Sequence, residues 1–254
     1  DSMTADDLRA FADFLSSDYD ISMNTIVTNM TLLRTVCNWV RKQGVTNNDP
    51  FFGYDMPKAL YGTPYLLTIQ ERDQVLDADL TDDAELAEYR DMFVFQCMVG
   101  CRHSDLVTFT PKNIIDGVLE YIPIKTKGKS GDVVRVPLIP KAMAILDGHD
   151  HGDDEPIFPK HYNFKFNDAI RRILKRAKVN RVVTVINPKT RLEEKKPISD
   201  VATSHLARRT FIGNLYRMVK DPDLVASMSG HAKGSVAFAR YRVIDDDMKK
   251  SLVE

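Results

Sequence analysis

Residues 117–140 read GVLEYIPIKTKGKSGDVVRVPLIP. Two runs rich in Val, Ile, Leu and Tyr, 117–124 and 132–140, flank the Lys- and Gly-rich connector KTKGKSG. That pattern predicts an antiparallel hairpin. Nearly everything around it carries apolar residues at a spacing of three to four, the period of a helix. The fold expected is therefore mainly α with a small antiparallel β-sheet, an α+β architecture.

Working outward, LTIQERDQVL (67–76) opens a helix in which Thr68 and Glu71 have capping-box spacing. DDAELAEYRDMFVFQCMVG (82–100) continues as a helix ending at Gly100. Further back, TADDLRAFADFLSS (4–17) and SMNTIVTNMTLLRTVCNWVRKQG (22–44) read as two helices, the second closed by Gly44. NNDPFFGYDMPKALYGTP (47–64), rich in Pro, Gly and Asn, breaks the pattern and sets the expected boundary between a helical domain, 1–59, and a second domain, 60–254. After the hairpin come helical patterns over 140–146, 163–178, 204–219, 222–230, 235–243 and 245–253, with a second hairpin around NPKT (187–190).

At 254 residues and 43% hydrophobic, the chain can bury one large core or two unequal ones. No run approaches the roughly 18 apolar residues that span a bilayer, and DSMTADDLRAF has no signal-peptide pattern, so a soluble intracellular protein is expected. Cys37, Cys97 and Cys101 are an odd set without a CxxC pair and read as reduced core residues. The missing initiator Met, and an end thirteen residues past Tyr241, point to a fragment.

The net charge of −1 says nothing of nucleic acid, so only local clustering can. Between Lys160 and Arg181 stand eight Lys or Arg against one acid, Asp168. Such a run is either a solvated helix face or a phosphate-binding strip, and Arg171, Arg172 and Lys175 are its candidate DNA contacts.

Four further features carry possible chemistry. In SHLARRTF (204–211), His205 and Arg208 are three apart and share a helix face, whereas Arg209 is rotated roughly 100° away. In GCRHSDL (100–106), Arg102 follows a helix end and Asp105 is placed to hold its guanidinium. Lys125, Lys127 and Lys129 alternate in the hairpin, so on a continuing strand they face one side. His231 follows Gly230, and Tyr241 comes ten residues later. Each alone has a bland reading: a core tyrosine, turn lysines, a helix-end arginine, a packed His-xx-Arg pair.

Their order along the chain resembles the tyrosine recombinase, or phage integrase, family. GCRHSDLVTFT resembles that family's arginine motif, SHLARRTF its His-xx-Arg motif, and MSGHAKGSVAFARY its Gly-His-to-tyrosine segment. The likeness covers most of the chain from about residue 66, and 1–59 is similar to the family's DNA-clamping core-binding domain. It implies a site-specific DNA recombinase acting through a covalent 3′-phosphotyrosine. Tyr241 is then the nucleophile, Arg102 and Arg208 the phosphate clamp, and Lys125 the general acid for the leaving 5′ oxygen, with Lys127 as alternative. His205 and His231 assist by hydrogen bonding and proton transfer, while Lys127, Lys129, Arg171, Arg172 and Lys175 contact DNA. The resemblance implies no cofactor, neither metal nor ATP. It implies double-stranded DNA as partner, a monomer in isolation, a homotetramer on paired sites, accessory DNA-bending proteins, no membrane, and a cytoplasmic, nucleoid-associated location. In many members the tyrosine follows the histidine by nine residues; here the gap is ten.

The residue types suit phosphodiester chemistry. Guanidiniums stay charged and bind two phosphate oxygens at once, whereas a lysine's movable pKa suits proton delivery. Rival readings are a type IB topoisomerase with the same residues, a non-catalytic DNA-binding module, and a metallohydrolase built on His149, His151 and Asp153 of DGHDHGDDE.

Overall fold

The computed structural model describes residues 3–19, 21–128, 132–149, 152–231 and 238. Tyr241, Lys129, His151 and the two helices expected over 235–253, apart from Phe238, lie outside the described residues. The chain divides into two compact units, Asp1–Gly62 with Thr184–Lys195, and Thr63–Val183 with Lys196–Glu254. The segment 184–195, read above as part of the later domain, is grouped with the first unit.

In the first unit, α1 (Ala5–Ser17) starts at a capping box between Thr4 and Asp7, and α2 (Met23–Lys42) is capped by Ser22. Their apolar faces meet in a small core of Leu8, Leu15, Ile26, Met30 and Phe51.

The second unit is built around α4 (Ala84–Val99). Every residue of α4 from Met92 to Val99 is buried, so the C-terminal half of this helix has no polar stripe and runs through the core. Full burial of Phe93 and Phe95 stabilises the unit by about 1.5–3 kcal/mol each. The short α3 (Ile69–Leu76) precedes it, with Thr68 and Glu71 closing a capping box. Gly100 ends α4 at φ +69, and a Cβ there would enter the Phe211 ring. The single turn α5 (His103–Leu106) follows, with Arg102 at its N-cap.

A short 3₁₀ turn (Pro111–Asn113) leads into β1 (Ile114–Ile115), which pairs antiparallel with β2 (Val118–Tyr121). The turn between them is Asp116-Gly117, at φ +50 and +74, the Asp-Gly pairing favoured in two-residue hairpins. The Asp-Gly pair is a hairpin signal in the sequence itself, and the structure adds β1 to the two strands expected. β2 pairs with β3 (Val134–Pro137), from Val118↔Pro137 to Tyr121↔Val134. Leu119, Tyr121, Val134 and Val136 turn inward.

These strands are shorter than expected because the chain meets Pro123 after β2, and proline supplies no ladder donor. Residues 124–128 form a turn instead, in which the amides of Thr126 and Lys127 both donate to Pro123 O at 2.9 and 3.0 Å. Lys125 and Lys127 thus stand on a turn, and the alternate-face expectation for a strand does not apply to them.

Next come α6 (Pro140–Asp147) and α7 (Asn163–Arg176). α7 buries Phe166, Ala169, Ile170, Ile173 and Leu174 at helical spacing, one stripe of an amphipathic helix. β4 (Val182–Ile186) and β5 (Glu193–Pro197) make a separate two-stranded sheet, the second hairpin expected. After the single turn α8 (Ile198–Val201), α9 (Ser204–Val219) packs on α4 and α7, and α10 (Pro222–Ser229) packs on α9 and β3. Among the described residues no helix is long and apolar enough to cross a membrane.

Candidate active site

α4 ends and α9 begins beside one cavity of about 320 Å³, and Arg102, His205 and Arg208 all line it. The helical period explains the selection on α9. His205 and Arg208 share the cavity face, whereas the Arg209 guanidinium lies over the Tyr65 ring, 5.3 Å from its centroid. Tyr65 is fixed in turn by its hydroxyl, which donates to Val201 O at 2.8 Å.

Arg208 is buried, at 3% exposure, and both of its terminal nitrogens are hydrogen-bonded. Nη1 donates to Gly100 O at 2.6 Å, and Nη2 to Ser229 O at 2.7 Å. Nη2 also meets the His231 ring, 3.0 Å from Nδ1 and 3.1 Å from Nε2. A buried guanidinium persists only when its hydrogens find acceptors, and two carbonyls and an imidazole supply them here.

Ser229 orients His231. Its Oγ lies 2.8 Å from Val225 O and 2.9 Å from His231 Nδ1. Every hydrogen is used if Oγ donates to Val225 O, Nδ1–H donates to Oγ, and Nε2 accepts from Arg208. Burial, with Arg208 and Arg102 nearby, lowers the His231 pKa to about 3, so the ring is neutral. His205 stands at the exposed rim, yet partial desolvation and the guanidiniums of Arg209, Arg208 and Arg102 hold its imidazole below the ordinary value.

Arg102 is about a quarter exposed, with Nη1 3.9 Å from Asp105 Oδ2. Asp105, at 1% exposure, receives the Ile124 amide on Oδ1 at 2.9 Å. One carboxylate therefore faces the cavity arginine and also anchors the backbone next to Lys125. Lys125 and Lys127 are exposed and do not line the cavity. Tyr121 lies near Arg208 and Arg102, but it packs on Phe109, and burial pushes its phenol above the ordinary range, which disfavours it as a nucleophile.

Four of the α7 cations are paired. Arg171 meets Asp168 at 3.3 Å, Arg172 meets Asp83 at 2.7 Å, and Lys175 meets Asp200 at 2.8 Å. Arg176 and Arg181 bind Asp82 and Glu71. Apart from Asp168, the acids that balance the run, Asp83, Asp200, Asp82 and Glu71, are distant in sequence, and no local count reveals them.

Sequence reading passed over Gln96, Cys101, His103, Ser104, Asn163 and Ser204, which complete the cavity wall. Gln96 was hidden in an apolar helix, where its amide donates to Cys101 O at 3.0 Å. Burial pushes the Cys101 thiol up, so it is an uncharged wall residue. His149 of the acidic segment sets its ring edge on Phe158 and lies 3.6 Å from Asp91. Among the described residues no three His, Cys, Asp or Glu side chains cluster as a metal site.

Comparison with known proteins places the chain. It is similar to a transposon Tn1549 integrase in complex with circular intermediate DNA, at TM-score 0.71 and 16% identity over 100% of this chain and 85% of that one. It is also similar to a lambda integrase dimer bound to a COC′ core site, at TM-score 0.68 and 14% identity over 96% and 81%. For XerA recombinase the values are 0.52 and 15% over 99% and 82%. At these identities the likeness speaks for the fold. No curated protein matches the chain in sequence. The model of the phage integrase family matches residues 66–248, a span that holds both arginines, both histidines and Tyr241, and the chain belongs to that family.

Proposed function

We propose that this chain is a site-specific DNA recombinase that cuts and rejoins strands through a 3′-phosphotyrosine on Tyr241. The observation that carries the reading is the convergence of Arg102, His205 and Arg208 on one cavity, with His231 against Arg208. Two arginines at one concave site suit an oxyanion with several oxygens, and pre-aimed donors of this kind stabilise a phosphoryl transition state by about 3–4 kcal/mol each.

In the proposed reaction Tyr241 Oη attacks phosphorus, the P–O5′ bond breaks, and the leaving 5′ oxygen takes a proton from Lys125, or alternatively Lys127. The phenol's proton passes to a neighbouring base, for which neutral His205 and His231 are candidates. A 5′ hydroxyl from another strand reverses these steps. The phosphotyrosine bond keeps the energy of the bond it replaces, so rejoining needs neither ATP nor metal. Double-stranded DNA is the partner. The DNA-bound integrases of similar fold support that reading, and the lambda integrase dimer on a core site supports assembly of subunits on DNA.

The test is covalent capture. The chain is incubated with 5′-labelled nicked suicide duplexes of randomised core sequence and run on a denaturing gel. A protein-linked band that survives EDTA and disappears in Tyr241→Phe is expected, and sequencing the trapped DNA names the site. A band that persists in Tyr241→Phe overturns the assignment.

A further inference from the structure

The basic run from Lys160 to Arg181 splits once its partners are known. Five of its cations, Arg171, Arg172, Lys175, Arg176 and Arg181, sit on carboxylates. Lys160 and Lys165, at the start of α7, are exposed and form no ion pair among the described residues. Between them stand two large rings in water. Tyr162 is 74% exposed and Phe164 68% exposed. The rings stack on each other with centroids 6.0 Å apart and planes 22° from parallel.

Single exposed apolar residues are ordinary, but a stacked aromatic pair between two unpaired lysines is an amphipathic surface of the kind that binds nucleic acid. Its position is defined. Asn163, between the two rings in sequence, lines the arginine cavity, and its Oδ1 lies 3.3 Å from Ser204 Oγ. Asn167, one turn on, accepts the Ser204 amide at 2.8 Å. The start of α7 is thereby bolted to the start of α9, next to His205.

We infer that Tyr162 and Phe164 form a stacking platform for DNA bases unstacked from the duplex beside the cavity, with Lys160 and Lys165 holding the flanking phosphates. This rests on the recombinase reading, because strand exchange must unpair bases next to the cut before they pair with a new strand. An unpaired base exposes two π-faces, and an aromatic surface beside the cut strand stabilises it regardless of sequence. The lysines supply the sequence-independent charge that holds the backbone in register.

The experiment uses the whole 254-residue chain. Two random-sequence duplexes are compared by fluorescence titration, one fully paired and one with a three-nucleotide bubble carrying 2-aminopurine. The expected result is that the chain binds the bubble at least about tenfold more tightly and quenches the 2-aminopurine. In Tyr162→Ala/Phe164→Ala the preference falls to about twofold or less, while affinity for the paired duplex stays within about twofold. Lys160→Ala/Lys165→Ala weakens binding to both and lowers the salt slope by about two. All four side chains are exposed, so unchanged circular dichroism and Tm establish that the variants fold. No bubble preference in the parent chain, or a preference that survives loss of both rings, overturns the platform. Covalent capture is scored separately. Capture without bubble preference sinks the platform alone, and ring-dependent preference without capture sinks the recombinase reading alone.

Discussion

Arg208 Nη1 donates to the carbonyl of Gly100 at 2.6 Å, tying the arginine of α9 to the residue that ends α4. Gly100 is placed to accept because it takes a left-handed φ of +69 and carries no Cβ to strike the Phe211 ring.

Gly100→Ala tests that anchor. A side chain in the left-handed region costs about 1–2 kcal/mol, and forcing a methyl into a packed ring adds about 1–3 kcal/mol. Together they lower the Tm by roughly 5–15 °C. Thermal unfolding followed by circular dichroism measures this, and a Tm unchanged from the parent is the contrary result.

Asp105 couples Arg102 to the turn that bears Lys125. Asp105→Ala leaves the Ile124 amide without its acceptor and the guanidinium without its counter-ion, a loss of about 3 kcal/mol. Asp105→Asn keeps an acceptor for Ile124 and costs about 1 kcal/mol. Both variants lower covalent capture at least about tenfold, since a misaimed arginine forfeits orientation. Equal stability of the two in urea unfolding refutes the Ile124 contribution.

Arg208→Lys keeps the charge and loses the fork. A single ammonium cannot serve Gly100 O, Ser229 O and two phosphate oxygens together. Capture is expected to fall about 10²–10³-fold, on the scale of a lost transition-state donor. Near-normal capture by this variant rules out a bidentate role.

Stability falls as pH drops below 6.5. The unfolded chain protonates its histidines near pH 6.5, whereas folded His231 stays neutral down to about 3. Its share of the stability is complete above about pH 6.5 and is lost as pH falls toward 3, at about 1.4 kcal/mol per unit. His205 and His103 are shifted the same way and add to the slope. Urea unfolding between pH 6.5 and 5 shows it, and His231→Gln reduces the slope by about 1.4 kcal/mol per unit. An unchanged slope in that variant means that folded His231 is not held neutral.

Much of the architecture was legible from local signals. Thr68 with Glu71, Gly44, Gly100 and the β-rich runs around KTKGKSG each encode a helix start, a helix end or a hairpin through the torsions and hydrogen bonds of neighbouring residues. The missed β1 had its own signal in Asp116-Gly117. The His-xx-Arg spacing foretold which of Arg208 and Arg209 shares a face with His205, because that question turns on one helical period.

What local pattern could not supply is who meets whom across the chain. Whether Arg172 is free for phosphate or spent on Asp83 depends on a residue 89 positions away, and the link from Arg208 to Gly100 spans 108. The residue types and their spacing set by themselves the elements and the chemistry on offer. Packing alone decided which cations meet a carboxylate and which histidine sits neutral against a guanidinium. Those outcomes follow from desolvation and from long-range contacts, neither of which a linear pattern contains.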